Sequence, residues 1–194
     1  MDIILASTSA YRQQLLARLQ LPFRSIAPRT DESRLPGESP ATMSRRLALA
    51  KAQAVAAIHP QALVIGSDQV ASIGDKVMGK PGDHQNAHAQ LAASAGREVR
   101  FHTSVALVCN VNNFERFHVE LFCAHFRPLQ DRAIENYLRR EQPYDCAGSF
   151  KCEGLGIALF ERLEGRDPTS LEGLPLIALT SLLAEAGVDV LGIN

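Results

Sequence analysis

The sequence ALVIGSDQVASIGDKV, residues 62–77, decides the expected fold class. Its apolar run at residues 62–65 is typical of a buried strand, and the Gly-Ser-Asp segment that ends at Asp68 follows it as a polar turn. A second apolar run at residues 70–73 and the Gly-Asp turn that begins at Gly74 predict a hairpin. We therefore expect a sheet in which one carboxylate, that of Asp68, lies where a buried strand ends.

Strands and helices alternate on both sides of this stretch. Before it we expect a strand at residues 3–5, a helix at 10–19, a strand at 23–27, a loop at 28–37 and a helix at 40–58. After it we expect a helix at 83–93, paired strands at 99–111 and 114–126, and helices at 130–139 and 174–186. This order predicts an α/β fold with a mixed sheet, and ligands in such folds bind at strand ends.

Length and charge narrow the classes of function. The 194 residues are 46% hydrophobic and 21% charged with a net charge of −1, which predicts one globular domain, residues 1–194. This balance favours neither nucleic-acid nor membrane binding, so positive charge close to the site must hold any anionic ligand. No basic segment precedes the first apolar run and no stretch is long enough to span a membrane, so we expect a cytoplasmic protein. The four cysteines lack zinc-ligand spacing, and we expect them to be reduced.

Three local patterns look like ligand-binding motifs but lack residues that the chemistry needs. Residues 74–80 match the GxxxxGK phosphate loop, yet Pro81 replaces the Ser or Thr that would reach Mg²⁺. His84 and His88 share a helix face without a third metal ligand, and we expect that face to be solvated. The Gly-Leu-Gly sequence that begins at Gly154 lacks the rest of a dinucleotide fingerprint. We therefore expect none of these three sites.

Five residues are candidates for phosphate or metal chemistry, and each also has a structural interpretation. Ser9 and Arg12 begin a helix directly after a strand, where free N–H groups favour an anion; a capping serine and a solvated arginine are the alternative. Lys51 lies in an alanine-rich helix, from which its side chain could instead extend to solvent. Asp68 is either a turn residue or a carboxylate that binds metal or accepts a proton, and Glu32 could supply a further metal ligand.

Seven segments, taken together, resemble one protein family. They are LASTSAYRQQLL at residues 5–16, the acidic pair at 31–32, LALAKAQA at 47–54, IGSDQV at 65–70, MGKPGD at 78–83, CAGSFKCEGLG at 146–156 and GRDPTSLEGLPL at 165–176. In this order they resemble the Maf family of nucleoside triphosphate pyrophosphatases. The resemblance implies a mixed β-sheet with flanking helices of the Maf or ITPase-like type, with two lobes around a nucleotide-binding cleft. It also implies a divalent metal (Mg²⁺ or Mn²⁺), cleavage between the α- and β-phosphates, and a homodimer.

The resemblance assigns four residues to the triphosphate. Ser9 and Arg12 match the family's S-x-x-R at the first helix, and Lys51 and Lys80 match its other phosphate-facing lysines. A nucleoside triphosphate carries about four negative charges, so three basic side chains and a divalent cation are a plausible counter-set in a near-neutral protein.

The resemblance assigns two acidic residues to the reaction. Asp68 matches the aspartate taken as the proton acceptor, and Glu32 matches the acidic residue of the loop after the second strand. Both are candidate metal ligands. Whether Asp68 ligates the metal, accepts the proton or does both stays open, because a carboxylate suits each role.

Three positions depart from the dTTP/UTP pyrophosphatase pattern and resemble the branch of the family that hydrolyses 7-methyl-GTP. They are Tyr11, Gln69 and Glu153. N7-methylation places a positive charge on guanine, which an aromatic face and a carboxylate both favour. The alternatives are helix packing for Tyr11, an ion pair of Glu153 with Lys151 or Arg162, and ordering of the cleft rather than base reading by Gln69. The resemblance thus favours 7-methyl-GTP hydrolysis over dTTP/UTP hydrolysis or a non-catalytic nucleotide-binding regulator of septum formation.

Overall fold

The computed structural model describes residues 2–192, which form one seven-stranded sheet and five α-helices. The strands are β1 (Ile3–Leu5), β2 (Arg24–Ser25), β3 (Leu63–Ile73), β4 (Lys76–Met78), β5 (Glu98–Cys109), β6 (Phe114–Phe126) and β7 (Phe160–Gly165). The helices are α1 (Ala10–Ala17), α2 (Pro40–Ala56), α3 (His84–Ser94), α4 (Asp131–Glu141) and α5 (Leu176–Glu185).

The sheet is mixed in strand direction. Its strands lie in the order β2-β1-β3-β5-β6-β7, and β4 pairs with the last part of β3. β1 is parallel to β2 and β3, whereas β3 to β7 pair in antiparallel fashion. The predicted α/β fold with a mixed sheet and flanking helices is therefore confirmed.

The stretch at residues 62–77 differs from its prediction in one respect. β3 passes through Asp68 without a break, and β5 pairs with it along residues 64–72. A Gly-Ser-Asp sequence favours a turn locally, but the ladder to β5 satisfies its backbone groups as a strand. The other edge of β3 is paired with β1 only up to Ile65 and with β4 only from Ala71. Asp68 therefore lies in a gap where a neighbouring strand ends, and the prediction that its own strand ends there is wrong.

The first two helices each begin at a capping serine, and Ser9 was a candidate cap in the sequence. The Ser9 hydroxyl accepts a hydrogen bond from the backbone N–H of Arg12 at 3.4 Å. The Ser39 hydroxyl accepts one from the N–H of Thr42 at 3.2 Å, and Pro40 follows it at the first helical position. Helix boundaries lie within two residues of those predicted, whereas β7 was not predicted.

The histidine pair on α3 is partly exposed and also contacts α4. The side chains of His84 and His88 are 41% and 28% exposed. His84 lies between the Tyr144 hydroxyl at 2.9 Å and the Glu135 carboxylate at 2.8 Å, and His88 contacts Asp131 at 2.9 Å. These contacts arise because α4 packs beside α3, which has no signal in the sequence of α3, and among residues 2–192 no group of three or more potential metal ligands includes the two histidines.

Apolar packing divides the molecule into two halves. Beside β1, helices α1 and α5 pack on one face of the sheet and α2 packs on the other. Beyond the gap, α3, α4 and the segment before β7 cover the remaining parts of β3, β5 and β6. The helix α2 lies close to β3 at Gly66, where an added Cβ would lie 2.7 Å from the backbone nitrogen of Ala52. This close approach places Lys51, on α2, beside Asp68.

The sequence analysis expected no membrane-spanning stretch and reduced cysteines. Within residues 2–192, none of the helices is both long and apolar enough to cross a membrane. All four cysteines are free, as predicted.

Candidate active site

One cavity of about 660 Å³ lies between the two halves of the molecule. All nine residues that the sequence analysis singled out line it: Ser9, Tyr11, Arg12, Glu32, Lys51, Asp68, Gln69, Lys80 and Glu153. They come from the start of α1, from α2 and β3, and from three loops. The fold therefore brings the predicted residues together at a single site.

An ion triad, in which Lys51 and Asp68 are buried and Glu32 is exposed, lines this cavity. The Lys51 ammonium lies 2.6 Å from Asp68 Oδ1 and 2.7 Å from Glu32 Oε1, and only 6% of Lys51 is exposed. A buried ammonium is stable only with such partners, so the alternative that Lys51 extends to solvent is wrong. Among residues 2–192, none donates a hydrogen bond to Asp68 Oδ2, which leaves this oxygen available to a ligand or water.

The two carboxylates of the triad differ in basicity. Burial raises the pKa of Asp68, and Lys51 and Arg12 only partly oppose this. Burial also acts to raise the pKa of Glu32, but Lys51, Lys80 and Arg12 outweigh it and hold that pKa below its ordinary value. Neighbouring carboxylates whose pKa values are pushed apart are typical of acid–base sites. Asp68 is the better proton acceptor of the two.

Arg12 is oriented by a carbonyl far away in the sequence. Its Nε donates a hydrogen bond to the Gly173 carbonyl at 2.9 Å, and the fully buried Ser67 hydroxyl donates to the same oxygen at 2.9 Å. Gly173 has a φ of +113°, a conformation that glycine adopts without strain. In the described part of the chain the terminal guanidinium nitrogens of Arg12 donate to no other residue, so they can bind an anion in the cavity.

A buried aspartate holds the turn that carries this carbonyl. Asp167 Oδ1 accepts hydrogen bonds from the Thr169 N–H at 3.0 Å and hydroxyl at 2.6 Å, and its Oδ2 accepts one from the Ile177 N–H at 2.7 Å. The sequence analysis did not single out Asp167, Ser67 or Gly173. The available signal was the segment GRDPTSLEGLPL, in which Asp-Pro-Thr has the pattern of a capped turn.

The Gln69 side chain is bonded to the same turn. Its Nε2 lies 2.8 Å from the Ser170 carbonyl, 3.1 Å from the Leu171 carbonyl and 3.0 Å from the Thr103 hydroxyl. Since Thr103 itself donates to Ser170, all three partners accept, and both amide protons of Gln69 are used. This geometry favours the alternative in which Gln69 orders the cleft.

Tyr11 lines the cavity near Asp145, Cys146 and Glu153. Burial and then the neighbouring Cys146, Asp145 and Glu153 raise the pKa of Tyr11 to about 12, so its phenol is neutral at neutral pH. The Cys146 thiol donates to Asp145 Oδ1 at 3.5 Å. The half-buried ring lines the cavity, so helix packing alone does not account for its position.

Glu153 does not form the ion pair that was its structural alternative. The Lys151 ammonium donates to the Glu141 carbonyl at 3.2 Å, and Arg162 pairs with Glu164 at 2.5 Å. No salt bridge within residues 2–192 includes Glu153, which accepts a hydrogen bond from the Cys152 thiol at 3.6 Å. Its charge is therefore free to face a ligand.

The residues that match the phosphate loop do not form one. Residues 74–80 contain the hairpin turn, β4 and the start of an irregular segment. Lys80 is exposed on that segment and lines the cavity, close enough to Glu32 to lower its pKa. It can contact a phosphate from extended backbone, as Pro81 requires.

The carboxylates fit a cation that arrives with its substrate. Within the described residues no group of three or more His, Cys, Asp or Glu side chains could hold a metal ion. Glu32 and Asp68 nonetheless converge on one positive group, the Lys51 ammonium. Mg²⁺ is commonly bound by one or two carboxylates plus substrate phosphates, so this pair suits Mg²⁺ without forming a complete protein cage.

Comparison with known proteins finds one matching family model and relatives that share one name. A family model described as Maf-like protein matches residues 2–186. A protein of Thiobacillus denitrificans named 7-methyl-GTP pyrophosphatase is 54% identical over 97% of this chain and 94% of its own length. A protein of Vibrio vulnificus with the same name is 51% identical over 98% of both chains.

Two solved structures are similar in fold. The Staphylococcus aureus Ham1 protein aligns with a TM-score of 0.56 and 11% identity, covering 97% of this chain and 100% of that one. A HAM1 protein from Coxiella burnetii aligns with a TM-score of 0.52 and 16% identity, covering 95% and 99%. At these identities the likeness concerns the fold alone, and it agrees with the expected mixed α/β architecture.

Proposed function

Because the chain belongs to the Maf family, we propose that it is a nucleoside triphosphate pyrophosphatase that hydrolyses 7-methyl-GTP to 7-methyl-GMP and diphosphate. The observation that carries the proposal is that three basic side chains and, near Tyr11, a carboxylate without a basic partner in residues 2–192 line the same cavity. We call the lining around Arg12, Lys51 and Lys80, which also contains Asp68 and Glu32, the basic end, and the lining around Tyr11 and Glu153 the acidic end. A nucleotide with an anionic tail and a cationic base matches this arrangement.

The triphosphate is proposed to bind at the basic end. The free terminal nitrogens of Arg12 suit phosphate oxygens, and the Gly173 carbonyl fixes the direction of the guanidinium. Lys80 approaches from the loop after β4. Ser9 caps α1, where the backbone N–H groups and the helix dipole add to the attraction for an anion.

Asp68 is the proposed proton acceptor. A water oxygen bonds to phosphorus, its proton passes to Asp68, and the bond to the departing diphosphate breaks. The raised pKa makes this carboxylate a better base than an ordinary aspartate, while Lys51 on Oδ1 fixes its orientation. Positioning of the phosphates and stabilisation of their charge supply most of the remaining catalysis.

We further propose a divalent cation, Mg²⁺ or Mn²⁺, held by Glu32, Asp68 and the substrate phosphates. When bound, it supplies positive charge that stabilises the phosphate oxygens. The low pKa of Glu32 keeps that ligand ionised at neutral pH. The cytoplasmic location and the homodimer stay predictions.

The base is proposed to bind at the acidic end. A neutral Tyr11 ring offers an aromatic face to a cationic base, and Glu153 offers a charge without a counter-ion among residues 2–192. An uncharged pyrimidine would gain neither interaction. Hydrolysis of 7-methyl-GTP would remove a modified nucleotide from the pool.

A substrate panel tests the proposal. Diphosphate release should be measured with Mg²⁺ on 7-methyl-GTP, GTP, dTTP and UTP. We expect the highest kcat/KM for 7-methyl-GTP. A clear preference for dTTP and UTP would contradict the assignment of the base. If no triphosphate is hydrolysed, the result would favour a nucleotide-binding regulator without turnover.

An Asp68→Asn variant tests the assigned base. We expect kcat to fall by roughly 10²- to 10⁴-fold, because the amide cannot accept the proton, while 7-methyl-GTP binding measured by fluorescence is retained. Asp75→Asn, on the exposed turn between β3 and β4, is the control and should leave kcat unchanged. Hydrolysis by Asp68→Asn at the normal rate would contradict the role.

A further inference from the structure

We infer that Asp145 is a second specificity-determining carboxylate, which acts with Glu153 on the positive charge of the base. The inference rests on the proposed function, because a cationic base is what the two carboxylates would recognise. Asp145 was not singled out by the sequence analysis. It lies in the segment between α4 and β7, and its side chain lines the same cavity as Tyr11 and Glu153.

The acidic residues that line the cavity differ in whether they form a salt bridge. Five line it, namely Glu32, Asp68, Asp145, Glu153 and Glu172. Lys51 pairs with the first two, and Arg18 pairs with Glu172 at 2.9 Å. Within residues 2–192, no salt bridge includes Asp145 or Glu153. The two carboxylates without a counter-ion are therefore the two that lie near Tyr11.

This placement gives a cationic base two carboxylates to meet. Asp145 and Glu153 are both exposed and both act on Tyr11, so two negative charges lie close to the same part of the cavity. A base that carries a positive charge is attracted to both, whereas neutral guanine is not. The charge pattern thus discriminates between two bases that differ by one methyl group.

Both carboxylates are oriented by neutral donors. The thiols of Cys146 and Cys152 donate to Asp145 and Glu153 at 3.5 Å and 3.6 Å. Burial, followed by the adjacent carboxylate, raises the pKa of each thiol to about 12, so both stay protonated at neutral pH. The thiols hold the carboxylates in place without cancelling their charge.

Asp145→Asn is the test, because it keeps the shape of the side chain and removes the charge. The readout is the ratio of kcat/KM for 7-methyl-GTP to that for GTP. We expect this ratio to fall about tenfold, mainly through KM for 7-methyl-GTP, with kcat/KM for GTP within about twofold of wild type. Asp145→Glu, which keeps the charge, should retain most of the selectivity, and Asp75→Asn should retain all of it.

Three results would overturn the inference. An unchanged ratio in Asp145→Asn, which includes an equal loss for both substrates, would assign Asp145 to structure and leave the proposed function intact. A wild-type protein without preference for 7-methyl-GTP over GTP would contradict both the inference and the proposed substrate. Binding of 7-methyl-GMP and GMP, measured by fluorescence, repeats the comparison without the triphosphate, and equal weakening of the two by the variant would also count against it.

Discussion

At the scale of single residues, Lys51 explains how a buried carboxylate can remain reactive. Its ammonium contacts one carboxylate oxygen of Asp68 and one of Glu32. The contact orients Asp68, which is itself buried. Burial dominates the pKa of Asp68, which is raised although a cation lies 2.6 Å away. The sequence alone left Lys51 as either a phosphate ligand or a solvated lysine, because its partners are distant in sequence.

The pH dependence of activity follows from this balance. Since Asp68 must be ionised to accept a proton, kcat/KM should fall as the pH drops through its raised pKa, at higher pH than for an ordinary aspartate. Lys51→Met removes a group that lowers this pKa. The pH at which the residual kcat/KM falls on the acid side of the profile should therefore rise by about one unit. Lys76→Met, an exposed change on β4, should leave the profile in place. An acid limb that moves down would contradict the assignment.

At the scale of elements, the site depends on how α2 lies on β3. Gly66 permits this approach, since a Cβ there would overlap the backbone of Ala48 and Ala52. Lys51 lies on the same helix, between these two contacts. The spacing of helix and strand is therefore coupled to the geometry of the ion triad.

Gly66→Ala tests this coupling. Backbone atoms cannot move aside as a side chain can, so α2 must shift, and we expect a loss of about 1–3 kcal/mol of folding free energy. Thermal unfolding and kcat/KM should both decline. Gly79→Ala is the matched control for stability, because a Cβ added there would have no atom within 4 Å, and its Tm should change by less than about 1 °C. A Gly66→Ala protein of normal Tm would contradict the prediction.

The turn after β7 carries Gly173, whose carbonyl positions Arg12. Ser67→Ala removes one of two hydrogen bonds to the Gly173 carbonyl and leaves Arg12 as the remaining side-chain donor to that oxygen in residues 2–192. We expect kcat/KM to fall about three- to tenfold and stability to fall by about 1 kcal/mol.

Ser94→Ala is the matched control for that variant. Ser94 is equally buried and also donates to a backbone carbonyl, that of Gln90, but lies on α3 outside the cavity. It should lose similar stability with unchanged kcat/KM. If both variants lose the same activity, Ser67 has no positioning role.

At the scale of the whole molecule, two packed halves enclose one cavity that both basic and acidic side chains line. The strands β3 and β5 run through both halves and hold them in register. Residues from position 6 to position 173 meet at this cavity. Neither half contains the whole cavity lining, because residues of both halves contribute to it.

The metal is expected to bind with the nucleotide rather than before it. A chelator should abolish diphosphate release, yet Mg²⁺ alone should change Tm by less than about 1 °C, because only two carboxylates converge in the described chain. Mg²⁺ with a non-hydrolysable 7-methyl-GTP analogue should raise Tm by several degrees. Glu32→Gln should raise the Mg²⁺ concentration for half-maximal activity about fivefold, and Glu161→Gln, an exposed change on β7, should not. Tight Mg²⁺ binding to the free protein would contradict this order.

Local signals in the sequence were sufficient for the helices, the long antiparallel pair and the types of residue at the site. Capping by Ser9 and Ser39 and the apolar periodicities are properties of neighbouring residues, so they can be seen without a structure. The same locality explains the error at Asp68, where a turn-forming sequence lies inside a continuous strand. Pairing with β5 outweighed the local preference.

Contacts between distant segments could be decided only by the tertiary structure. Gly173 orients Arg12 across 161 positions, and Asp145 lies near Tyr11. The Gln69 amide donates to a turn about 100 residues away. Which groups meet depends on strand order and on the packing of α2 against β3, and neither is encoded in local spacing. The sequence thus identifies the candidate reactive residues one by one. Their pairing, burial and basicity arise only in the folded molecule, where the two halves pack on either side of one cavity.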